Sequence, residues 1–265
     1  MNRIMANAAF FMVLILACGV ATAATENISL SMSPSRLECE GLYKKLAGQT
    51  ALDAKSRIST WLQMQSSCSD KVYFASILGS LYTDDGQYVK ARGILTSAAT
   101  EATPDDAKKL RYQVIEIYML KERDFKSAEA GAAKLVADFP DWFAGYYDLG
   151  WVNIYKEDYA DAIAPLEKSE QLKSDAIGTL IGLTIAYYKT HQPRNAIDAF
   201  GKAAKLDSNV FANQAALISD VYSLMAVGDF RSAAIALKLG LQINPSYNQD
   251  PSYNEAVRRM REATH

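Results

Sequence analysis

Histidine is almost missing from this chain of 265 residues: only His191 and His265 occur. One falls in a turn and the other is the last residue, so neither a His-based metal cluster nor a Ser-His-Asp arrangement can be assembled from them. Glycine is not gathered into any phosphate-binding loop. Positive charge is not in excess either, with 28 Lys and Arg against 30 Asp and Glu, which argues against a nucleic-acid partner. Long apolar runs are absent beyond residues 8–20, a stretch too short for a membrane span of about 20 residues. Carboxylates do occur in adjacent pairs, Asp84 with Asp85, Asp105 with Asp106 and Glu157 with Asp158. They sit at turns and helix starts, where capping of backbone N–H groups explains them better than acid–base chemistry. No catalytic residue, metal ligand or cofactor is therefore expected, and an enzyme is the least supported class.

What the chain does have begins at its N-terminus. Arg3 precedes the apolar run at residues 8–20, and Ala21-Thr22-Ala23 supplies small residues at the minus-three and minus-one positions of a cleavage site. This is the pattern of a secretory signal peptide over residues 1–23, with a periplasmic or secreted product that has no further membrane insertion. Without Arg3 the mature chain carries 27 basic and 30 acidic residues, a net charge of about −3. A competing reading takes Leu16-Ala17-Cys18 as the end of a bacterial lipobox, with Cys18 as a lipid anchor; Leu16 is an uncommon residue there, and the Ala-x-Ala site lies just downstream.

Loss of Cys18 with the leader leaves Cys39 and Cys68, an even pair in an oxidising compartment, and hence an expected disulfide. Residues 36–47 and 51–65 both show helical apolar spacing, through Leu37, Leu42 and Leu46 and through Ile58, Trp61 and Leu62. Gly48-Gln49-Thr50 reads as the turn between them. In an antiparallel helical hairpin the start of the first helix lies beside the end of the second, which is where Cys39 and Cys68 fall. A loop of this length gains about 3 to 4 kcal/mol in the chain-entropy picture. Two free buried thiols are the alternative.

From residue 72 onward one signature recurs. Aligned on a turn, it reads Asp85-Gly86-Gln87-Tyr88, Arg123-Asp124-Phe125, Glu157-Asp158-Tyr159, His191-Gln192-Pro193 and Gly228-Asp229-Phe230. Each is followed by one small residue: Ala91, Ala128, Ala162, Ala196 and Ala233, at intervals of 37, 34, 34 and 37. A fixed period of this size means an array of supersecondary units. The clearest unit, residues 143–176, carries Tyr146, Leu149 and Gly150 on its first helix and Tyr159, Ala162 and Leu166 on its second. It resembles the tetratricopeptide repeat. That resemblance implies an all-α fold, a right-handed superhelical solenoid of helix–turn–helix repeats, and a function in binding protein partners.

The expected organisation is a linker and divergent helical hairpin at residues 24–71, five repeats at 72–247 and a capping helix at 248–265. Gly79, Gly150 and the five alanines mark close helix contacts, where a larger side chain overpacks; Tyr88, Phe125, Tyr159 and Phe230 are expected to fill the space between units. Three extra residues occur at 106–108, after the helix-start sequence Thr103-Pro104-Asp105-Asp106, and three more at 211–213. The last unit aligns from Phe211 or from Gln214. The second choice puts Asp220 at an apolar position, so that helix is expected to be one turn longer than standard. Near the C-terminus, Ser252 and Glu255 fit a capping box, opening a helix with Tyr253, Ala256, Val257 and Met260 on one face and Arg258, Arg259 and Arg261 elsewhere. Such a polar-backed helix closes the apolar end of a stacked array.

The remaining feature is a stripe on the first helices. Tyr147, Trp151 and Tyr155 recur at spacings of four, followed by Ile181, Ile185 and Tyr188 and then by Ile218, Tyr222 and Met225. The resemblance implies that these positions line a concave groove receiving an extended peptide or a partner helix, with Trp151 at its centre and Asp148 and Lys189 as the nearest polar groups. The Lys, Asn and Arg clamp by which some members hold a C-terminal carboxylate is not reproduced. A stripe of this kind is also what a tightly wound array buries between neighbouring helices. Two function classes follow: an envelope adaptor that binds another envelope protein or peptide segment, and a structural subunit whose stripe is permanently covered by a second copy or an obligate partner.

Overall fold

The structure, a computed structural model, describes residue 30, residues 33–49 and residues 52–264. The leader with its cleavage site and Cys18, and also His265, lie outside the described residues. Thirteen α-helices and no strand occur among the described residues: α1 (Pro34–Ala47), α2 (Ala54–Gln63), α3 (Lys71–Asp84), α4 (Tyr88–Glu101), α5 (Pro104–Glu116), α6 (Phe125–Asp138), α7 (Phe143–Tyr155), α8 (Tyr159–Leu172), α9 (Ile177–Lys189), α10 (Pro193–Leu206), α11 (Gln214–Ala226), α12 (Phe230–Ile243) and α13 (Pro251–Thr264). They form two compact units, one ending at Pro140 and one starting at Asp141.

Within both units the repeat positions do what their sizes dictate. Ala91, Ala128, Ala162, Ala196 and Ala233 are all completely buried. A Cβ on Gly150 would lie 2.3 Å from Leu166 Cγ, and one on Gly79 would lie 2.7 Å from Leu95, so in these two repeats the first helix approaches its second as only glycine permits. The turn aromatics Tyr88, Phe125, Tyr159 and Phe230 are half-buried rather than fully enclosed.

The five helix–helix turns share one backbone device. Gly86, Arg123, Glu157, His191 and Gly228 all have positive φ, between 54° and 82°, at intervals that match the alanines. In four of them the next residue donates its N–H back five residues in a Schellman closure: Gln87 to Tyr82 O, Asp158 to Asn153 O, Gln192 to Tyr187 O and Asp229 to Leu224 O, at 2.8 to 2.9 Å. The exception is Asp124, whose N–H reaches back six residues to Tyr118 O at 2.9 Å. There the chain forms a π-helical turn over Ile117–Glu122 after α5, which absorbs one residue. The other additions at this repeat lengthen the helix at its start, where Thr103 Oγ1 accepts from Asp106 N at 3.3 Å.

The N-terminal unit begins with the expected staple. Cys39 and Cys68 are disulfide-bonded with their Cα atoms 4.9 Å apart. Trp61 fills the space beneath, fully buried, stacked on Phe74 at 5.0 Å and met edge-on by Tyr43 at 5.7 Å. Its indole N–H donates to Phe74 O at 3.1 Å. The expected apolar faces hold only in part: Leu46, Ile58 and Trp61 are buried, but Leu37 and Leu62 point outward. The second helix is also shorter than its spacing suggests, ending at Gln63 before a single 3-10 turn at Gln65–Ser67.

What fixes α1 is ionic. Arg36 is buried, donating through Nε to Asp70 at 2.9 Å and through Nη1 and Nη2 to both oxygens of Asp106 at 3.2 and 3.1 Å. Asp70 simultaneously caps α3 by accepting from Tyr73 N at 2.8 Å, and Asp106 lies in the first turn of α5. One guanidinium thus joins the starts of three helices. Leu30 enters the same region, packed with Leu95, Ala99, Ala107 and Leu110.

In the C-terminal unit, α11 corrects an expectation. It is 13 residues long, as α7 and α9 are, because the extra residues form a 3-10 turn at Ser208–Ala212 instead of lengthening the helix. Asp220 therefore does occupy the apolar repeat position and is buried; burial pushes its carboxyl up to about 7. The capping box at Ser252 is a second correction. Asp250 Oδ1 accepts from Tyr253 N at 2.9 Å, whereas Glu255 holds Arg258 and Arg259. Helix α13 still serves as the cap, with Tyr253 and Ala256 buried and the Tyr253 hydroxyl donating to Leu237 O at 2.7 Å.

Candidate functional site

First helices of the C-terminal unit lie side by side, α9 touching both α7 and α11 and α11 touching α13. This places the stripe residues in one row. Tyr147 and Trp151 have ring centroids 6.1 Å apart, Trp151 and Tyr155 5.8 Å, and Tyr188 stacks on Tyr222 at 5.9 Å with 18° between planes.

The row is layered by depth. Trp151 is only 4% exposed, and Ile181 and Ile185 are buried as well. The Trp151 indole donates to Gly178 O at 3.2 Å, so this residue ties α7 to α9. That corrects the expectation of Trp151 as the centre of an open groove: a ring whose N–H is spent on the next helix and whose surface is covered acts as packing. Asp148 is corrected in the same way, since it is completely buried and cannot orient a ligand at the surface. Above this floor Tyr147, Tyr155, Tyr188 and Tyr222 remain half-exposed, together with Ile218 and Met225.

Two cations stand at the tyrosines. Lys189, at the end of α9, is exposed with its Nζ 5.9 Å from the Tyr188 ring centroid and 5.5 Å from that of Tyr159. Arg259 reaches back from α13 to place its guanidinium carbon 5.6 Å from the Tyr222 centroid. Burial foremost, then the neighbouring Tyr222 hydroxyl, raises the Tyr188 phenol, with Arg259 opposing. Arg259 belongs to the site although the sequence pattern assigned it only to the polar back of a cap. No linear spacing could reveal it, because its position depends on how α13 docks on α11.

The corresponding face of the N-terminal unit is chemically different. Ser76 and Gln113 exchange hydrogen bonds between α3 and α5 at 3.3 and 3.2 Å. Glu116 accepts from the Tyr112 hydroxyl at 3.0 Å, and burial pushes its carboxyl up to about 7. Lys121 on the π-helical turn lies within electrostatic range of Glu116 and Asp84. No group of three or more His, Cys, Asp or Glu side chains among the described residues is arranged to hold a metal ion, and among them no helix is long and apolar enough to cross a membrane. The turn residue His191 is exposed and is accounted for by its backbone position.

No protein-family model matches the sequence, and no curated protein matches it. Solved structures do match in fold. A double mutant of MamA from RS-1 aligns over 69% of this chain and 99% of its own at TM-score 0.55 and 20% identity. YrrB, a TPR protein described as having an unusual peptide-binding site, aligns over 75% of this chain and 97% of its own at TM-score 0.54 and 14% identity. The Cut9-Hcn1 complex of the APC/C aligns over 85% of this chain but 46% of its own, at TM-score 0.62 and 15% identity. Helix order, turn geometry and these likenesses agree that the chain has the all-α, tetratricopeptide-like repeat fold.

Proposed function

We propose that this protein is a non-enzymatic interaction scaffold of the cell envelope, periplasmic or secreted, that binds a segment of another protein on the first-helix face of its C-terminal unit. The observation that carries this reading is the row of half-exposed tyrosines, Tyr147, Tyr155, Tyr188 and Tyr222, set on a buried floor of Trp151, Ile181 and Ile185. Rigid aromatic rings with a wet edge give large contact area at little entropic cost, which is why they anchor protein interfaces. The fold likeness to YrrB, whose site takes a peptide, supports a ligand of that shape. The leader pattern and the Cys39–Cys68 disulfide support an oxidising compartment outside the cytoplasm.

The test is site-specific photo-crosslinking in the native exporting cell. A photoreactive amino acid in place of Tyr147 or Tyr222 should yield one discrete adduct, while the same group in place of Val89, an exposed residue on α4, should not. Equal adducts from all three positions, or none from the tyrosine positions, would overturn the assignment of this face.

A further inference from the structure

The tyrosine face is not uniform along its length. At the α7 end the neighbouring rings Tyr147 and Tyr155 flank Trp151, whereas at the α11 end the stacked pair of Tyr188 and Tyr222 is approached by cations from two separate elements, Lys189 of α9 at 5.9 Å from the Tyr188 centroid and Arg259 of α13 at 5.6 Å from that of Tyr222. Resting on the scaffold reading above, we infer that this end receives an extended apolar segment bearing one acidic side chain, whose carboxylate seats between Lys189 and Arg259 over the tyrosine stack.

The argument is one of charge and donor supply. Lys189 pairs with no carboxylate among the described residues, and it is exposed. Arg259 gives its Nε to Glu255 Oε1 at 2.6 Å, and the four N–H bonds on its two Nη atoms are the geometry suited to a second carboxylate. Glu255 is shared with Arg258, at 2.7 Å, while Glu262 serves Arg258 alone at 2.6 Å; the carboxylate that Arg259 meets is therefore a shared one. Asp220, the acid nearest in sequence to Tyr222, is buried and pushed toward its neutral form. A cationic segment would therefore meet two cations, and a wholly apolar one would strip water from both without compensation. An acidic side chain between apolar neighbours satisfies the cations while its flanking residues cover the rings. The carboxylate is assigned to a side chain, and probe peptides that carry no free C-terminus ensure that only a side chain can supply it.

A displayed library of random twelve-residue peptides, fused at the peptide C-terminus so that no terminal carboxylate is present, provides the probe. Panned against the mature protein, it should enrich sequences with one Asp or Glu inside an apolar run. A selected peptide made as its C-terminal amide should bind on the order of tenfold more weakly when its acid becomes Gln or Asn. On the Lys189→Met/Arg259→Met variant, whose melting curve should match the wild type because both side chains are exposed, the acid and amide peptides should bind alike. Enrichment without an acidic residue, equal binding of the two peptides to the wild type, or an acid preference that survives in the double variant would each overturn the inference while leaving the scaffold standing. No enrichment at all would overturn the scaffold reading and the inference with it.

Discussion

The two units solve the same packing problem by different means. In the C-terminal unit, α7 to α12 follow the repeat closely, and the contacts that hold them are local: Gly150 against Leu166, alanines facing first helices, and Trp151 bonded to the next first helix. In the N-terminal unit the pattern is weaker, with a short α2, an outward-facing Leu37 and Leu62, and a π-helical turn after α5. There the chain uses long-range ties instead, a disulfide across 29 residues and a guanidinium that reaches 34 and 70 residues along the sequence. Where repetition is lost, specific bonds replace it. Stability in a regular array is a sum over neighbours, so damage to one contact is felt in its own repeat and the next; loss of a long-range tie releases every element that it joins.

The largest effects should expose this difference. Arg36→Met leaves the buried Asp106 and the half-buried Asp70 without their shared partner, and should cost about 3 to 5 kcal/mol. Trp151→Ala removes a buried ring and its hydrogen bond, and should cost about as much. Hydrogen exchange measured by mass spectrometry separates them: the first should unprotect α1 and the starts of α3 and α5, the second α7 and α9. If both substitutions loosen the same helices, the contrast between the units is wrong.

Reduction of Cys39–Cys68 comes next, at about 3 to 4 kcal/mol. Thiol labelling of the exported, unfolded protein should find no reactive cysteine until reductant is added. After reduction, proteolysis should attack α1 and α2 while the fragment from residue 141 onward survives. Early cleavage within α7 to α12 would show that the staple serves the whole chain.

Much of this was legible in the sequence, and the physical reason is period. The five alanines, Gly79 and Gly150 could be read because their neighbours lie one repeat or less away. Even Asp220 could be flagged as a departure from pattern, though its consequence, a normal helix with a buried carboxyl, needed the packing. The Arg36 clasp was not legible, because nothing in the spacing of Arg36, Asp70 and Asp106 brings three helix starts together. In the candidate site, the stripe was correctly gathered but its depth was not: periodicity places Trp151, Ile181 and Ile185 on the same face as the four tyrosines, and only the separation of α7, α9 and α11 decides which of them are covered. Arg259 was missed for a related reason, since its place depends on the docking of α13; the Asp250 cap is instead a local bond over three residues, and Asp250-Pro251 carried its signal in the sequence beside the Ser252 reading.

A smaller effect tests the one polar intrusion in the regular unit. Asp220 has a folded-state pKa of about 7 against an ordinary value near 4, because burial penalises its charged form. Between those values the unfolded chain gives up the proton first, so stability is greatest below about pH 4 as far as this group is concerned and falls as pH rises to about 7. Asp220→Asn should remove that slope and stabilise the C-terminal unit at pH 8 by about 1 to 3 kcal/mol. Glu116, pushed up to about 7 by burial in the other unit, should keep its own slope there. Denaturant melts at pH 5 and pH 8 check the sign; greater stability at pH 8 in the wild-type C-terminal unit would contradict the assignment.

The smallest effect asks whether the repeat turns are equivalent in the two units. Gly86 in one and Gly228 in the other adopt positive φ without strain, but Glu157 and His191 hold the same conformation with a Cβ. An L-residue there costs about 1 to 2 kcal/mol against the right-handed region, partly offset because glycine loses more backbone entropy on folding. His191→Gly should therefore stabilise by about 0.5 to 1 kcal/mol, and Gly228→Ala should destabilise by a similar amount. The Schellman bonds of the two turns, Gln192 N to Tyr187 O at 2.8 Å and Asp229 N to Leu224 O at 2.9 Å, join backbone atoms that neither change removes, so a shift in melting temperature reports the conformational term. Arg123→Gly sharpens the comparison, because its turn follows the π-helical segment and closes over six residues instead of five; Arg123→Ala, which removes the guanidinium 5.4 Å from the Phe125 centroid but keeps the Cβ, is its reference. Equal gains at residues 123 and 191 would mean that the π-helical turn leaves this corner unstrained; a larger gain at 123 would locate the irregularity of the N-terminal unit at that single turn.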